Sequence, residues 1–365
     1  MKYTEKRIKR IFELAGEDVG AIMIFNGDEP HTDVNFYYVT DLTKGLFERS
    51  GVVVYPDGKG VIITSELEAE SASRSSMEKR FFRTKRELRS MVRDALKVDG
   101  KVGVNYTDLP HSLYREMKSA AKGIPFTDVS KALSDARMIK DKVEIGRIRK
   151  AGKIATDALE VMRNELHEGM VESEAAALLI YEMMKRGATG PAFETIASFG
   201  ENSAEPHYTA GSRKLRKGEY ALFDFGAHLE RYNSDITRTF VMGKADKKHR
   251  EIYEIVREAQ QAGIDAVKAG VNGPDVDAAA RKVIENAGYG DRFIHSLGHG
   301  LGLKVHDGGG FSPRLEMEIK ENMVITVEPG IYISGWGGVR IEDDVLVKKN
   351  GAEVLTSFPK ELIEL

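Results

Sequence analysis

The sequence predicts an α/β (α+β) fold in two parts, a smaller mixed α/β domain over 1–135 and a larger domain over 136–365. Three observations carry this. A chain of 365 residues exceeds the usual size of a single hydrophobic core. Strand-like runs alternate with helical periodicity through the first third. In the second part, two strand pairs of similar design recur between long amphipathic helices, which predicts a pseudo-symmetric domain.

In the first part, Thr4 is placed to cap a helix whose apolar positions Ile8, Ile11, Phe12 and Ala15 recur every three or four residues before Gly16 stops it. AIMIF (21–25) and NFYYVT (35–40) have strand composition, and GVVVY and GVIIT flank PDGK as a hairpin over a Pro-Asp-Gly turn. Helical patterns at 84–97 and 111–119 complete this layer. The loop NGDEPHTD gathers Asp28, Glu29, His31 and Asp33 but lacks calcium-loop spacing, so it reads as a solvated turn without a role.

The charge-dense segment SKALSDARMIKDKVE (130–144) marks the boundary near 135. It leads into a helix with Ile148, Ala151, Ile154, Ala155, Ala158, Leu159 and Met162 along one side. Further helices are expected at 173–185 before Gly187, at 247–268 before Gly270, and from NGPDVDAAA to Gly288. Between them, LRKGEYALFDFG (215–226) and EIKENMVITVEPG (318–330) each run from a basic residue and a turn into an apolar strand carrying one acid, Asp224 or Glu328, before a glycine. Each is followed by a second strand with another acid, Asp235 in YNSDITRTF and Glu342 in GVRIEDDVLV.

Composition excludes several chemistries. With no cysteine, there can be no disulfide, thiolate metal site or cysteine nucleophile, so any metal is held by oxygen and imidazole. A formal charge of −3 with scattered Lys and Arg argues against nucleic acid as a partner. No apolar run reaches the roughly 20 residues of a membrane span, and the charged, amphipathic N-terminus is unlike a secretory signal; the expectation is a cytoplasmic protein without membrane contact. There is no G-x-S-x-G elbow, H-E-x-x-H helix or phosphate loop.

The acids inside apolar strands raise the chemical question. An unpaired buried carboxylate costs several kcal/mol, so each needs a solvated face, a local partner such as Arg238 or Arg340, or another cation. If hairpins bring Asp224 beside Asp235 and Glu328 beside Glu342, and the two hairpins meet face to face, four carboxylates converge. Such a cluster cannot stay ionised alone, because like charges raise each other's pKa. Two divalent ions would balance it, and His299 as a neutral fifth ligand makes a mixed oxygen and nitrogen set suited to Mn, Co, Zn or Fe. A paired site of this kind favours hydrolysis. Gly298 and Gly300 remove bulk on either side of His299 so that the backbone can approach the other elements. His306, past the apolar LGLKV, is placed to line the substrate cleft.

These pieces resemble the metal-dependent peptidases with the pita-bread fold, a group that includes methionine aminopeptidase, aminopeptidase P and the Xaa-Pro dipeptidases (prolidases). The matching motifs are DFG with Asp224, NSDITRTF with Asp235, GHGLGLKVHD with His299 and His306, VITVEPGIY with Glu328 and GVRIEDDVLV with Glu342. The smaller first domain and the RMIKDKVE entry to the second resemble the prolidase and aminopeptidase P branch. VHDGGGF departs from the Glu-x-Pro that many relatives carry after this histidine.

The resemblance implies Asp224 on one ion, Asp235 and Glu342 as bridges, and His299 and Glu328 on the other, with manganese or cobalt ahead of zinc or iron. It implies Glu328 as acceptor of a proton from the attacking water, and His207 and His306 as donors to the substrate carbonyl oxygen or the tetrahedral intermediate. Arg340, two residues before Glu342 and hence on the same strand face, would orient the bridging carboxylates. Arg314 stands where some prolidases place an arginine for the substrate carboxylate. The implied activity is cleavage of a small peptide between an N-terminal residue and proline, in Xaa-Pro dipeptides. The alternatives are an aminopeptidase P acting on longer peptides and a non-catalytic binding protein. A homodimer is implied as well.

Overall fold

The computed structural model describes residues 3–365. The chain divides into two compact units, Met1–Arg137 and Met138–Leu365. The first contains helices α1 (Tyr3–Ala15), α2 (Val34–Thr40), α3 (Ala69–Ala72), α4 (Lys85–Ala95) and α5 (His111–Ala120), and α6 (Ser130–Met138) closes it. Its strands are β1 (Val19–Phe25), β2 (Gly51–Val54), β3 (Gly60–Ser65), β4 (Glu78–Phe82), β5 (Lys101–Val104) and β6 (Phe126–Asp128), in the sheet order β4-β3-β2-β1-β5-β6. β2 and β3 form the expected antiparallel hairpin, with Val52 opposite Ile62.

Two local expectations are overturned here. Thr4 lies inside α1 instead of ahead of it, while Gly16 does end that helix, at φ +93°. NFYYVT is the body of α2, not a strand. Asp33 caps it by accepting from the Asn35 amide, and Asp41 closes it in the left-handed conformation. Phe36, Tyr37, Tyr38 and Val39 are all buried, and burial on every side outweighs the strand propensity of aromatic and β-branched residues. Asp28, Glu29 and His31 are exposed as a turn should be, whereas Asp33 is buried by this capping role.

The second unit has helices α7 (Lys142–Glu165), α8 (Glu172–Lys185), α9 (Lys247–Ala266) and α10 (Gly273–Asn286). Asp141 starts α7 with a reciprocal capping box to Glu144. Gly187, Gly270 and Gly288 follow the next three helices at positive φ, and α9 ends two residues earlier than expected. The strands up to the midpoint are β7 (Gly190–Pro191), β8 (Ile196–Phe199), β9 (Tyr220–Phe225), β10 (Ala227–Leu229), β11 (Tyr232–Asn233) and β12 (Ile236–Val241). Those that follow are β13 (Gly298–His299), β14 (Gly310–Phe311), β15 (Val324–Val327), β16 (Gly330–Ile333), β17 (Gly337–Arg340), β18 (Glu342–Lys348) and β19 (Gly351–Val354).

The main sheet runs β15-β18-β12-β9-β8, with β19 also on β18. One core packs Leu159, Met162, Leu179 and Met183 of α7 and α8 with Phe199, Phe223 and Phe240. A second packs Ile252, Val256, Ala280 and Ile284 of α9 and α10 with Ile325, Val327 and Val345. Each helix pair therefore serves one strand pair, the structural form of the echo in the sequence. Among the described residues, no helix is long and apolar enough to cross a membrane.

Candidate metal centre

Strand register gathers the acids. Asp224 of β9 lies opposite Thr237 of β12, and Thr237 lies opposite Glu342 of β18. Directly opposed residues share a sheet face, so Asp224 and Glu342 flank Thr237 on one side. Asp235 immediately precedes β12, and Glu328 immediately follows Val327, which pairs with Asp343. The two strand pairs thus lie side by side in one continuous sheet through β12 and β18, and not face to face. Edge pairing satisfies the backbone donors and acceptors that two separate hairpins would leave open.

His299 arrives from β13, whose neighbour is β14. A Cβ on Gly298 would sit 1.8 Å from the Thr326 carbonyl oxygen, and one on Gly300 would sit 1.7 Å from that of Gly308. The glycines are therefore required by close backbone approach. His299 Nε2 lies 3.4 Å from Glu328 Oε1 and 3.7 Å from Asp235 Oδ2. The His299 amide donates to Thr326 Oγ1 at 3.0 Å, and that hydroxyl donates to Glu328 Oε1 at 3.1 Å. Asp235, His299 and Glu342 each offer a ligand atom within 4.8 Å of the others.

The donor set fits a divalent cation. Asp224 Oδ1 and Asp235 Oδ1 are buried with no hydrogen-bond donor. Burial, reinforced by neighbouring carboxylates, holds Asp235 and Glu342 well above the usual carboxylate range and pushes Glu328 up to about 7. Burial lowers His299, which favours the neutral imidazole a metal needs.

Arg340 behaves differently from expectation. It ends β17 whereas Glu342 opens β18, so the two are not on one strand face. Its Nη2 pairs with Asp224 Oδ2, while Nε donates to Thr237 Oγ1 at 3.1 Å. Thr237 donates in turn to Glu342 Oε2 at 2.5 Å. Arg340 therefore orients Asp224 directly and Glu342 only through a hydroxyl, because the chain turns between the two strands.

A cavity of about 910 Å³ opens over these groups, and His207, His295, His306, Phe193, Ile294 and Leu315 are among its lining. The rings of His299 and His306 lie tilted by 47° with centroids 4.0 Å apart, and burial lowers His306 as well. Arg314 is exposed and does not line the cavity, although Ser312 and Leu315 on either side do.

Two residues not singled out from the sequence belong to the site. His295 Nε2 meets the Tyr332 hydroxyl at 2.9 Å, and Arg340 Nη1 donates to the same hydroxyl at 2.8 Å. Burial pushes His295 down to about 4. Their spacing, each four residues from a ligand candidate, was the available signal, but neither a lone histidine nor a lone tyrosine stands out in such a run.

Known proteins match this arrangement. Residues 146–349 match the model of metallopeptidase family M24, and residues 7–139 match the creatinase/prolidase N-terminal domain. The chain is 41% identical over 331 residues to the Xaa-Pro dipeptidase of Pyrococcus furiosus, covering 90% of this chain and 93% of that one. Among solved structures, the Xaa-Pro dipeptidase from Bacillus anthracis superposes with a TM-score of 0.90 at 35% identity, covering 100% and 99% of the two chains. The X-Pro aminopeptidase from Thermotoga maritima reaches 0.91 at 34% identity, covering 98% and 100%. With its four acidic motifs gathered on one sheet and both matched segments in sequence order, this chain belongs to metallopeptidase family M24 and carries a creatinase/prolidase N-terminal domain.

Proposed function

We propose that the chain hydrolyses the bond between an N-terminal residue and proline in Xaa-Pro dipeptides, using two divalent ions held in the 136–365 domain by Asp224, Asp235, His299, Glu328 and Glu342. The observation that carries this reading is the meeting of four carboxylates and one imidazole at one end of a single sheet, under a cavity. Manganese or cobalt suits the oxygen-rich set best, with zinc or iron as alternatives.

When bound, such ions lower the pKa of water and polarise a carbonyl. The chain's own groups do the rest. Glu328 accepts the proton of the attacking water and returns one to the proline nitrogen, which leaves as a secondary amine. His306, kept neutral by burial, has one N–H to donate to the substrate carbonyl oxygen, and His207, which also lines the cavity, is a second donor. Arg340 holds the Asp224 carboxylate in place through a charge-assisted bond. Arg314, flanked by two lining residues, is the candidate for the substrate's free carboxylate.

The test is a panel of Xaa-Pro dipeptides, Xaa-Ala controls and Xaa-Pro tripeptides with Mn, Co and Zn separately. The expected outcome is cleavage of the Xaa-Pro dipeptides alone, abolished by a chelator. An aminopeptidase P acting on longer peptides is the second reading, favoured by the position of Arg314 outside the cavity and by the likeness to the Thermotoga enzyme. Equal efficiency on dipeptide and tripeptide would establish it. A binding protein without catalysis is the third, and lack of metal after purification in metal-supplemented buffer would support it. The family likeness also extends the proposal to a cytoplasmic homodimer, which sedimentation and cell fractionation test.

A further inference from the structure

Glu172 opens α8 and is fully buried, yet it belongs to neither the ligand set nor the cavity wall. Its carboxylate accepts four hydrogen bonds. Oε1 takes the Phe199 amide and Asn202 Nδ2, both at 2.9 Å. Oε2 takes the Tyr208 hydroxyl at 2.8 Å and the Gly211 amide at 3.2 Å. Asn202 Nδ2 also donates to the Tyr208 hydroxyl at 2.7 Å, which links the two halves.

These four donors lie at both ends of the loop 199–211, whose middle brings Ala204, Glu205, Pro206 and His207 to the cavity. The α8 terminus also holds the end of this loop through its backbone, with Ser173 N donating to Gly211 O at 3.0 Å, and Glu172 N donates to Arg213 O just past it at 3.1 Å. A buried carboxylate costs several kcal/mol unless its lone pairs are filled, and here donors fill them and the helix N-terminus adds a favourable field. An amide in its place could accept from one end of the loop only, since its NH₂ would face the Gly211 N–H. Tyr208, adjacent to His207, is the group through which the clamp reaches the site.

We propose that Glu172 is a positioning residue, which sets His207 at the reaction centre by clamping both ends of the 199–211 loop. This rests on the reading of His207 as a donor to the substrate. The experiment is a double-mutant cycle in the metal-loaded full chain, with E172Q, H207A, the double variant and Y208F assayed on an Xaa-Pro dipeptide, alongside metal titration. Removing the donor in H207A should lower kcat about 100-fold. Loosening its support in E172Q should lower kcat about 10-fold or more with metal affinity unchanged, as for other supporting contacts. In the H207A background, E172Q should have no further effect.

Y208F keeps the shape of the loop, removes one of the four bonds, and should give a smaller loss that also vanishes in the H207A background. Should E172Q fail to fold, the Y208F cycle decides. Equal losses with and without His207, or full activity of both E172Q and Y208F, overturn the clamp. Wild-type activity of H207A instead overturns the assignment of His207 itself, and the inference falls with it.

Discussion

The two faces of β18 carry acids one residue apart that live under opposite electrostatic regimes. On one face Asp343 is buried with every oxygen answered: Arg238 Nη2 at 2.8 Å, Thr356 Oγ1 at 3.2 Å, Gln260 Nε2 at 2.9 Å and Lys360 Nζ at 2.8 Å. Arg238 spends its remaining donors on the carbonyls of Thr237, Glu342, Phe358 and Pro359, tying the C-terminal segment to the sheet. On the other face Glu342 and Asp235 share one cation, Arg340, with Asp224 and Glu328, and Arg340 is the one Lys or Arg among the described residues lining the cavity. Three oxygens there, Asp224 Oδ1, Asp235 Oδ1 and Asp344 Oδ1, have no donor, and burial raises the carboxyls of Asp235, Glu342 and Asp344. A structural acid brings its cations within the fold. The acids of the site leave charge for something outside it to neutralise.

This contrast can be broken or sharpened in four ways. The largest effect is expected on the cavity face: D235N or E342Q should lower kcat/KM by about a thousandfold or more, since the ions supply several kcal/mol of transition-state stabilisation. Both variants should also lose the rise in Tm that metal gives the native chain, a loss read by scanning with and without chelator. Next comes the opposite face. D343N leaves the buried Arg238 and the half-buried Lys360 without their carboxylate and should cost about 3–5 kcal/mol in denaturant unfolding, equally with and without metal. A metal-dependent loss in D343N would erase the distinction between the faces.

R340K keeps the charge but not the three-way fork to Asp224, Thr237 and Tyr332, and should reduce activity or metal affinity about 10-fold. The smallest effect is a pH dependence of the chelated protein. Glu328, Asp235 and Glu342 have folded-state values raised above the unfolded ones, so stability is full below the unfolded range and falls as pH rises. For Glu328 the window runs from roughly 4 in the unfolded chain to about 7 when folded. Across it, Tm of stripped protein should drift down by about a few degrees. Metal-loaded protein should show no such drift, because bound cations keep the carboxylates ionised at little cost.

How far the sequence could be read depended on the range of the interaction. Helix limits at Gly16, Gly187 and Gly288 rest on contacts within a turn or two and were legible. So was the β2–β3 hairpin, set by its own turn. Even locally, NFYYVT misled, because its composition reports burial as much as conformation, and only the Asp33 and Asp41 caps decide for a helix. At the site, the acids and His299 were conspicuous as polar residues in apolar or glycine-rich runs, while His295, Tyr332 and Glu172 sit in unremarkable surroundings. Their importance comes from partners that lie 37 residues away for His295 and 36 for the Glu172–Tyr208 pair.

By itself, the order of residues determined which side chains could hold a metal here: with no cysteine, that task falls to oxygen ligands and imidazoles, and their motifs name the family. Tertiary structure alone decided how they meet. The edge between β12 and β18 joins residues more than 100 positions apart, as in the Thr237–Glu342 bond, and nothing local encodes that register. It sent Arg340 to Asp224 and Arg238 to Asp343, because alternate residues of a strand face opposite ways and each face has its own cations. The physical reason is that charge compensation is a property of what packs around a group, and packing is settled only when distant strands pair.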